Sequence, residues 1–248
     1  MMRRIFLLCC LMLVMSIGTA HAGTPKVIKA ATACEYPPME FLDDNKQPTG
    51  FSADLLAALS EELGVKIEQY NVAWDGIFTA VAAGQYDIVI STVTVNDERK
   101  KAFLFTDPYH KMHQAVVMPK GKSIKSLADL KGLKVGSQIG TTAIFVLEKA
   151  KPGCEVKEYD DIGLAMEELK SGRLDAVMCD DVVATYYANV KKGFSDSMHV
   201  VFKTAESEDI AILLNKKDKD LCALLNDGLK RIKANGKYDA VVKKWMGK

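Results

Sequence analysis

The chain after residue 22 opens with apolar runs of strand length that alternate with segments of helical period. Ser52 is placed to cap a helix, and Gly64 follows its last apolar residue. The predicted elements in this part are strand Val27–Ala31, helix Ser52–Leu63, strand Val65–Tyr70, helix Trp74–Ala83 and strand Tyr86–Ser91. Short links between strands and helices predict a parallel sheet with right-handed crossovers.

The same alternation restarts about 40 residues later, so the pattern favours two α/β lobes of similar plan. The second series comprises strand Leu133–Ser137, helix Thr142–Ala150, strand Cys154–Tyr159, helix Ile162–Ser171 and strand Leu174–Cys179. Further elements are predicted for strand His113–Pro119 between the two series, and then for strand Ile210–Asn215, helix Asp218–Ala234 and helix Tyr238–Met246.

The N-terminus has the pattern of a secretory signal peptide. Arg3 and Arg4 precede the apolar run Ile5–Ile17, and Ala20-His21-Ala22 fits a small-x-small cleavage site. A membrane anchor is the alternative, but a spanning helix needs about 20 apolar residues and this run is shorter. We therefore predict a signal peptide over residues 1–22, cleavage after Ala22, and a soluble, periplasmic mature protein.

Composition adds little that is specific. The 248 residues are 48% hydrophobic and 26% charged, with a formal net charge of +1, so nothing indicates a nucleic-acid partner. Four cysteines lie beyond the predicted signal peptide, and the sequence does not choose among their possible pairings; they are Cys34, Cys154, Cys179 and Cys222. No cofactor is expected, and His110 with His113 lacks the further ligands of a metal site.

Ligands of open α/β sheets bind outside the carboxyl ends of the strands. Four predicted loops lie there, two from each lobe, so we expect a site between the lobes. These loops are Thr32–Tyr36, Ser91–Arg99, Gln138–Thr142 and Cys179–Asp181.

Several side chains in these loops suit an anionic or a cationic group of a ligand, although each has a simpler interpretation. Arg99 follows Ser91, Thr92 and Thr94, and its planar fork suits a carboxylate; pairing with Asp97 or Glu98 is the alternative. Gly140-Thr141-Thr142 opens a helix, whose N-terminus favours an anion, or is simply a cap. Asp180 and Asp181 offer one acceptor for an ammonium, or two caps, and Tyr36 and Trp74 are ligand walls or core residues.

Together these residues resemble the polar amino-acid-binding family of periplasmic solute-binding proteins, the receptors of ABC importers. The similarity extends over residues 24–247 and is most specific from Trp74 to Tyr109. Similar stretches are EYPPMEF, TGFSADLLAALSEELG, WDGIFTAVAAGQYDIVISTVTVNDERKKAFLFTDPYH, SLADLKGLKVGSQIGTT, LKSGRLDAVMCDD and LKRIKANGKYDAVVKKWMG.

The resemblance implies a fold and a role for each candidate residue. The fold is the two-lobed type II periplasmic-binding-protein fold, with lobe 1 formed by residues 23–111 plus 210–248, lobe 2 by residues 112–209, and a two-strand hinge. Arg99 then clamps a ligand α-carboxylate, helped by Ser91, Thr92, Thr94, Thr141 and Thr142. Asp180, rather than Asp181, holds the α-ammonium, and Tyr36 and Trp74 flank the ligand side chain.

Departures from the family pattern bear on specificity. Ala33 stands where receptors for cationic side chains often carry an acid, and Gln138 and Cys179 are uncharged at two further contact positions. The resemblance thus implies a monomeric, non-enzymatic protein that delivers an amino acid, with a neutral side chain, to the membrane permease of an ABC importer. The alternative is a cyclohexadienyl (prephenate or arogenate) dehydratase on the same fold, with Glu35, His110, His113 or Asp180 as the acid.

Overall fold

The computed structural model describes residues 27–247, so the predicted signal peptide lies outside the described residues. Its strands are β1 (Val27–Thr32), β2 (Glu35–Tyr36), β3 (Glu40–Leu42), β4 (Pro48–Thr49), β5 (Lys66–Asn71), β6 (Ile88–Val89), β7 (Phe103–Phe105), β8 (His110–Met112), β9 (Gln114–Pro119), β10 (Lys134–Gln138), β11 (Glu155–Tyr159), β12 (Ala176–Asp180), β13 (Met198–Lys203), β14 (Glu208–Ile210) and β15 (Leu213–Asn215). Its α-helices are α1 (Phe51–Leu63), α2 (Trp74–Ala82), α3 (Asp97–Ala102), α4 (Thr142–Ala150), α5 (Ile162–Lys170), α6 (Asp181–Asn189), α7 (Lys219–Ala234) and α8 (Lys237–Met246). A 3-10 helix spans Leu127–Leu130.

Two five-stranded sheets form the two lobes. The first has the order β5-β1-β6-β15-β7 and the second the order β11-β10-β12-β9-β13. Both predicted strand–helix series are parallel, as expected, in β5-β1-β6 and in β11-β10-β12. Each sheet is nevertheless mixed, because β15 and β9 are added antiparallel. The fold is therefore α/β with two lobes.

The chain passes between the sheets at a two-stranded antiparallel ribbon of β8 and β14. Strands β8 and β9 are separated by His113 alone, and β14 precedes β15, so both crossings lie close together. Our predicted lobe boundaries, 111/112 and 209/210, fall inside this ribbon, and they stay a prediction.

The start of α1 differs from the predicted Ser52 cap. The N-cap is Gly50, with a φ of 112°, and a Cβ there would lie 2.5 Å from the carbonyl oxygen of Met39. Only glycine fits this approach, so the helix begins earlier than a hydroxyl cap predicts. Ser52 lies in the first turn, and its hydroxyl donates to Glu40 instead.

The predicted strand Ile210–Asn215 is also wrong in its extent. The segment contains two strands, β14 and β15, which belong to different sheets. Ala211 and Ile212 connect them. The small sheet β2-β3-β4 has no counterpart in the sequence prediction, and it places Glu35 and Glu40 beside the end of β1. Among residues 27–247 no helix is long and apolar enough to cross a membrane.

Candidate functional site

One cavity lies between the lobes, where β1, β6, β10 and β12 reach their carboxyl ends. Its empty space, including the part that is open to solvent, is about 350 Å³. Ten of the predicted site residues line it: Tyr36, Trp74, Ser91, Thr92, Thr94, Arg99, Gln138, Thr141, Thr142 and Asp180. Ala33, Glu35 and Glu40 complete the wall.

Cys179 is the predicted site residue that does not line this cavity. It is 2% exposed and packs in the hydrophobic core, whereas its neighbour Asp180 reaches the cavity. Successive side chains of a strand point to opposite faces of the sheet, so the two residues cannot share one environment. The four cysteines in the described part of the chain are all free thiols.

Arg99 is held in place on the short helix α3. The Asn96 side chain caps this helix and accepts a hydrogen bond from the Arg99 backbone N–H at 2.8 Å. The guanidinium donates to the carbonyl oxygens of Thr94 (2.9 Å) and Gly140 (3.2 Å), and lies 5.6 Å from the Trp74 ring centre. Burial lowers the pKa of Arg99 to about 10, so the group stays cationic at neutral pH.

The loop from Ser91 to Thr94 is fixed at several points. The Ser91 hydroxyl accepts from the Ala33 N–H (3.0 Å), and the Thr92 hydroxyl donates to Glu40 Oε1 (2.6 Å). The Thr94 hydroxyl lies 3.0 Å from that of Thr142 in the other lobe. The loop therefore presents backbone and hydroxyl groups to the cavity from fixed positions.

Asp180 and Asp181 have different surroundings, which the sequence alone could not separate. Asp180 is 6% exposed, and its carboxylate accepts from Tyr36 Oη (2.9 Å) and Gln114 Nε2 (2.7 Å). Asp181 instead pairs with Lys203 at 3.0 Å. Burial raises the pKa of Asp180 to about 7, helped by nearby Glu208. Neither aspartate side chain caps α6.

The N-cap residue of α4 makes no side-chain capping bond to the helix. Thr141 is the N-cap, but its hydroxyl donates to the Gln138 carbonyl oxygen (2.7 Å) and makes no capping bond. The positive φ of Gly140, 67°, turns the chain here, and a Cβ would lie 3.6 Å from Trp74 Nε1. The simple capping interpretation is therefore wrong, and the helix start faces the cavity uncapped by this side chain.

The lobes touch directly across the cavity. Trp74 is 8% exposed and donates from Nε1 to the Ile139 carbonyl oxygen (3.0 Å). Gln138 donates to Glu35 Oε1 (3.3 Å). With the Tyr36–Asp180 and Arg99–Gly140 contacts, these bonds define a closed arrangement of the lobes.

Sequence reasoning named Glu35 as a possible acid but missed Glu40, a second carboxyl that lines this cavity. Burial raises the pKa of Glu40 to about 8 and, together with Asp161, the pKa of Glu35 to about 7. Sequence reasoning also missed Gln114, which is 2% exposed and donates to Asp180. Its Oε1 has no hydrogen-bond partner among the described residues. The letters EYPPMEF contain both glutamates, but no local period marks them as inward-facing.

The histidines lie outside the cavity lining. His113 Nδ1 is 2.9 Å from the Thr204 carbonyl oxygen, and His110 Nδ1 is 3.0 Å from Tyr238 Oη. Within residues 27–247 there is no group of three or more His, Cys, Asp or Glu side chains that could hold a metal ion.

Comparison with known proteins gives one family over nearly the whole chain. Residues 28–248 match the model of bacterial extracellular solute-binding proteins, family 3. The chain is 34% identical to a probable histidine-binding protein of Neisseria gonorrhoeae, over 93% of this chain and 87% of that protein. It is 32% identical to the L-cystine-binding protein TcyJ of Escherichia coli strain K12, over 86% of this chain and 79% of that protein.

A solved structure of an ancestral arginine-binding protein bound to glutamine has the same fold. It superposes with a TM-score of 0.85 at 38% identity and covers 91% of this chain and 100% of that one. The two-lobed arrangement is thus the type II fold of periplasmic amino-acid-binding proteins, and the chain belongs to family 3 of the bacterial extracellular solute-binding proteins.

Proposed function

We propose that this protein captures a free α-amino acid outside the cytoplasm and delivers it to the membrane permease of an ABC importer. The observation that carries the proposal is that Arg99 and Asp180 line one cavity, a partly buried cation from the first lobe and a buried carboxylate from the second. The relatives are named for binding histidine, cystine or arginine, which supports an amino acid as ligand.

The ligand carboxylate binds Arg99. Thr94 and Thr142 offer hydroxyls beside it, Thr92 offers its backbone N–H group, and Ser91 offers its carbonyl group. The ligand ammonium binds Asp180, and its positive charge favours the ionised carboxylate. Each charge-assisted hydrogen bond contributes about 1.5–3 kcal/mol, and micromolar affinity corresponds to about −8 kcal/mol, so a few such bonds suffice after ordering costs.

Closure couples binding to transport. An amino acid that bridges Arg99 and Asp180 contacts both lobes only when they are closed, so it shifts the population towards that form. The permease then recognises the closed lobes.

For the ligand side chain we propose a neutral, polar or modestly apolar group. Ala33 and Gln138 carry no charge, and Tyr36 and Trp74 supply aromatic walls. Glu35 is the residue that decides between this proposal and a cationic side chain. The uncharged Gln138 side chain already donates to Glu35 Oε1 at 3.3 Å, which supports a polar neutral group beside this carboxyl.

A thermal-shift screen of the mature protein tests the ligand class, with the twenty protein amino acids and L-cystine as probes. A ligand at 100 times its dissociation constant adds about 2.7 kcal/mol to the stability. Binding of a neutral amino acid should survive Glu35→Gln within about threefold. Preference for arginine, lysine or glutamate, or a loss above tenfold in Glu35→Gln, would contradict the neutral side chain.

We further propose a periplasmic monomer with no enzymatic activity. Mass spectrometry of the exported protein should find Gly23 at its N-terminus, and size-exclusion chromatography should give a mass near that of one chain. Of the residues offered as acids for a dehydratase, Glu35 and Asp180 line the cavity, whereas His110 and His113 do not. We expect incubation with prephenate to yield no phenylpyruvate above the uncatalysed rate, and sustained turnover would make the protein an enzyme.

A further inference from the structure

Thr92 adopts a backbone conformation that its side chain disfavours. Its φ is 50°, in the left-handed region. Within residues 27–247 the other non-glycine residues with positive φ are Lys46 and Lys151, neither of which is β-branched. A β-branched residue is strained there, and such strain persists only where the surroundings hold it. Thr92 lines the ligand cavity and is 6% exposed.

Glu40 is the group that holds it. The carboxyl is fully buried, with 0% exposure, and each oxygen accepts one hydroxyl: Oε1 that of Thr92 at 2.6 Å and Oε2 that of Ser52 at 2.5 Å. Ser52 belongs to the first turn of α1, which Gly50 fixes against Met39. The Thr92 side chain is therefore bonded directly to Glu40, which strand β3 holds in lobe 1 whether or not Ser52 contacts it.

A buried carboxyl is costly, and this one has a neutral pair of hydroxyl partners rather than a cation. Burial raises its pKa to about 8, so it is mostly uncharged at neutral pH. Filling space against α1 requires only an apolar side chain. The two directed hydrogen bonds of Glu40, one of them to a strained residue of the ligand loop, indicate that this side chain orients its partners and does more than fill space.

We propose that Glu40 is a positioning residue of the ligand site, whose carboxyl holds Thr92 in the left-handed conformation that shapes the Ser91–Thr94 loop. The inference rests on the proposed function only in that the cavity binds an amino acid. Glu40 acts through Thr92. Glycine at position 92 adopts positive φ without help, so Glu40 should no longer be needed to hold the loop in the Thr92→Gly variant.

Two variants of Thr92 separate its conformation from its hydroxyl. Thr92→Val and Thr92→Gly both lose the hydroxyl, but only glycine adopts the left-handed conformation without help. The ligand used is whichever of the twenty amino acids or L-cystine most raises the wild-type melting temperature. Its affinity for each variant is measured by titration calorimetry. We expect Thr92→Val to weaken binding at least tenfold and Thr92→Gly to stay within about fivefold of wild type. Equal losses in both variants would overturn the proposal.

Glu40→Met then removes both hydrogen bonds at similar side-chain length. It should weaken binding at least tenfold in the wild-type background and less than threefold in Thr92→Gly. The matched control is Ser52→Ala, which removes the other bond to the same carboxyl and should leave affinity within threefold. An equal effect of Glu40→Met in both backgrounds overturns the inference, as does a lower melting temperature with unchanged affinity.

Glu40→Gln keeps the shape and polar atoms, and it serves if Glu40→Met does not fold. It should bind within threefold of wild type; a tenfold loss would mean that the carboxylate charge acts on the ligand directly. Hydrogen exchange of unliganded protein gives a readout independent of ligand. Glu40→Met or Thr92→Val should speed exchange in residues 91–95, whereas Ser52→Ala should not. If no amino acid binds wild-type protein, the proposed function fails while this readout still tests Glu40.

Discussion

Replacement of Arg99 by lysine tests the carboxylate clamp while keeping the positive charge. The planar fork of arginine can donate two parallel hydrogen bonds to a carboxylate, whereas the lysine ammonium meets it as a point charge. In the structure the guanidinium also bonds the Thr94 and Gly140 carbonyl oxygens and lies 5.1 Å from the Phe78 ring centre. Lysine cannot reproduce this planar arrangement.

The expected loss follows from one missing charge-assisted hydrogen bond. Such a bond is worth about 1.5–3 kcal/mol, so Arg99→Lys should raise the dissociation constant roughly 10- to 150-fold. Arg99→Ala loses both bonds to the carboxylate and should bind more than about 100-fold more weakly. Because burial disfavours the charged guanidinium, as its lowered pKa shows, its removal in Arg99→Ala offsets the lost bonds to Thr94 and Gly140, and the melting temperature of this variant without ligand should stay near that of wild type.

Titration calorimetry with the best amino acid from the thermal-shift screen measures the affinities. Arg173→Ala is the matched control, since that arginine pairs with Glu168 at 2.6 Å on the surface of the second lobe. The control should bind as wild type does. Arg99→Lys that binds within threefold of wild type would refute the assignment of the carboxylate to Arg99.

Four further predictions concern Tyr36, the buried carboxyl groups and Cys179. Tyr36→Phe keeps the ring but removes a hydroxyl that donates to Asp180 and favours its ionised form, so calorimetry should show binding weaker by up to about tenfold; tighter binding would mean that the hydroxyl competes with the ligand ammonium. The pKa values of Asp180 and Glu40 are raised in the folded protein, to about 7 and 8, so the folded state binds more protons than the unfolded state. The melting temperature of unliganded protein should therefore fall as the pH rises from 5 to 9. An opposite slope would contradict the burial of these two carboxyl groups. The ligand-induced thermal shift should instead be larger at pH 8 than at pH 5.5, since the ammonium needs ionised Asp180, and Asp180→Asn should abolish it. Cys179→Ala should change affinity less than twofold, and a larger change would place Cys179 at the ligand.

Much of the site could be predicted because it follows one rule of α/β sheets. Arg99, Thr142 and Asp180 come from segments next to strand ends, and the strand ends could be located from apolar runs. The resemblance suggested Cys179 as a contact position, but its side chain lies in the core because successive side chains of a strand point to opposite faces of the sheet.

Glu40 could not have been found in this way. Its partners Ser52 and Thr92 lie 12 and 52 residues away, and its strand β3 is too short to show a period. Gln114 is similar, since it reaches Asp180 across 66 residues of sequence. Contacts that form only when distant segments pack leave no local pattern of hydrophobic and polar positions.

The contact between Trp74 and the Ile139 carbonyl group makes the protein its own optical probe. The chain has two tryptophans. The second, Trp245, lies on α8 outside the cavity lining, and its Nε1 donates to Asp54 at 2.6 Å. The indole of Trp74 bridges the lobes, so its emission reports their separation without an attached dye. A change in intrinsic fluorescence on adding an amino acid can thus be followed in a stopped-flow instrument, and the Trp74→Phe variant identifies the indole that produces it.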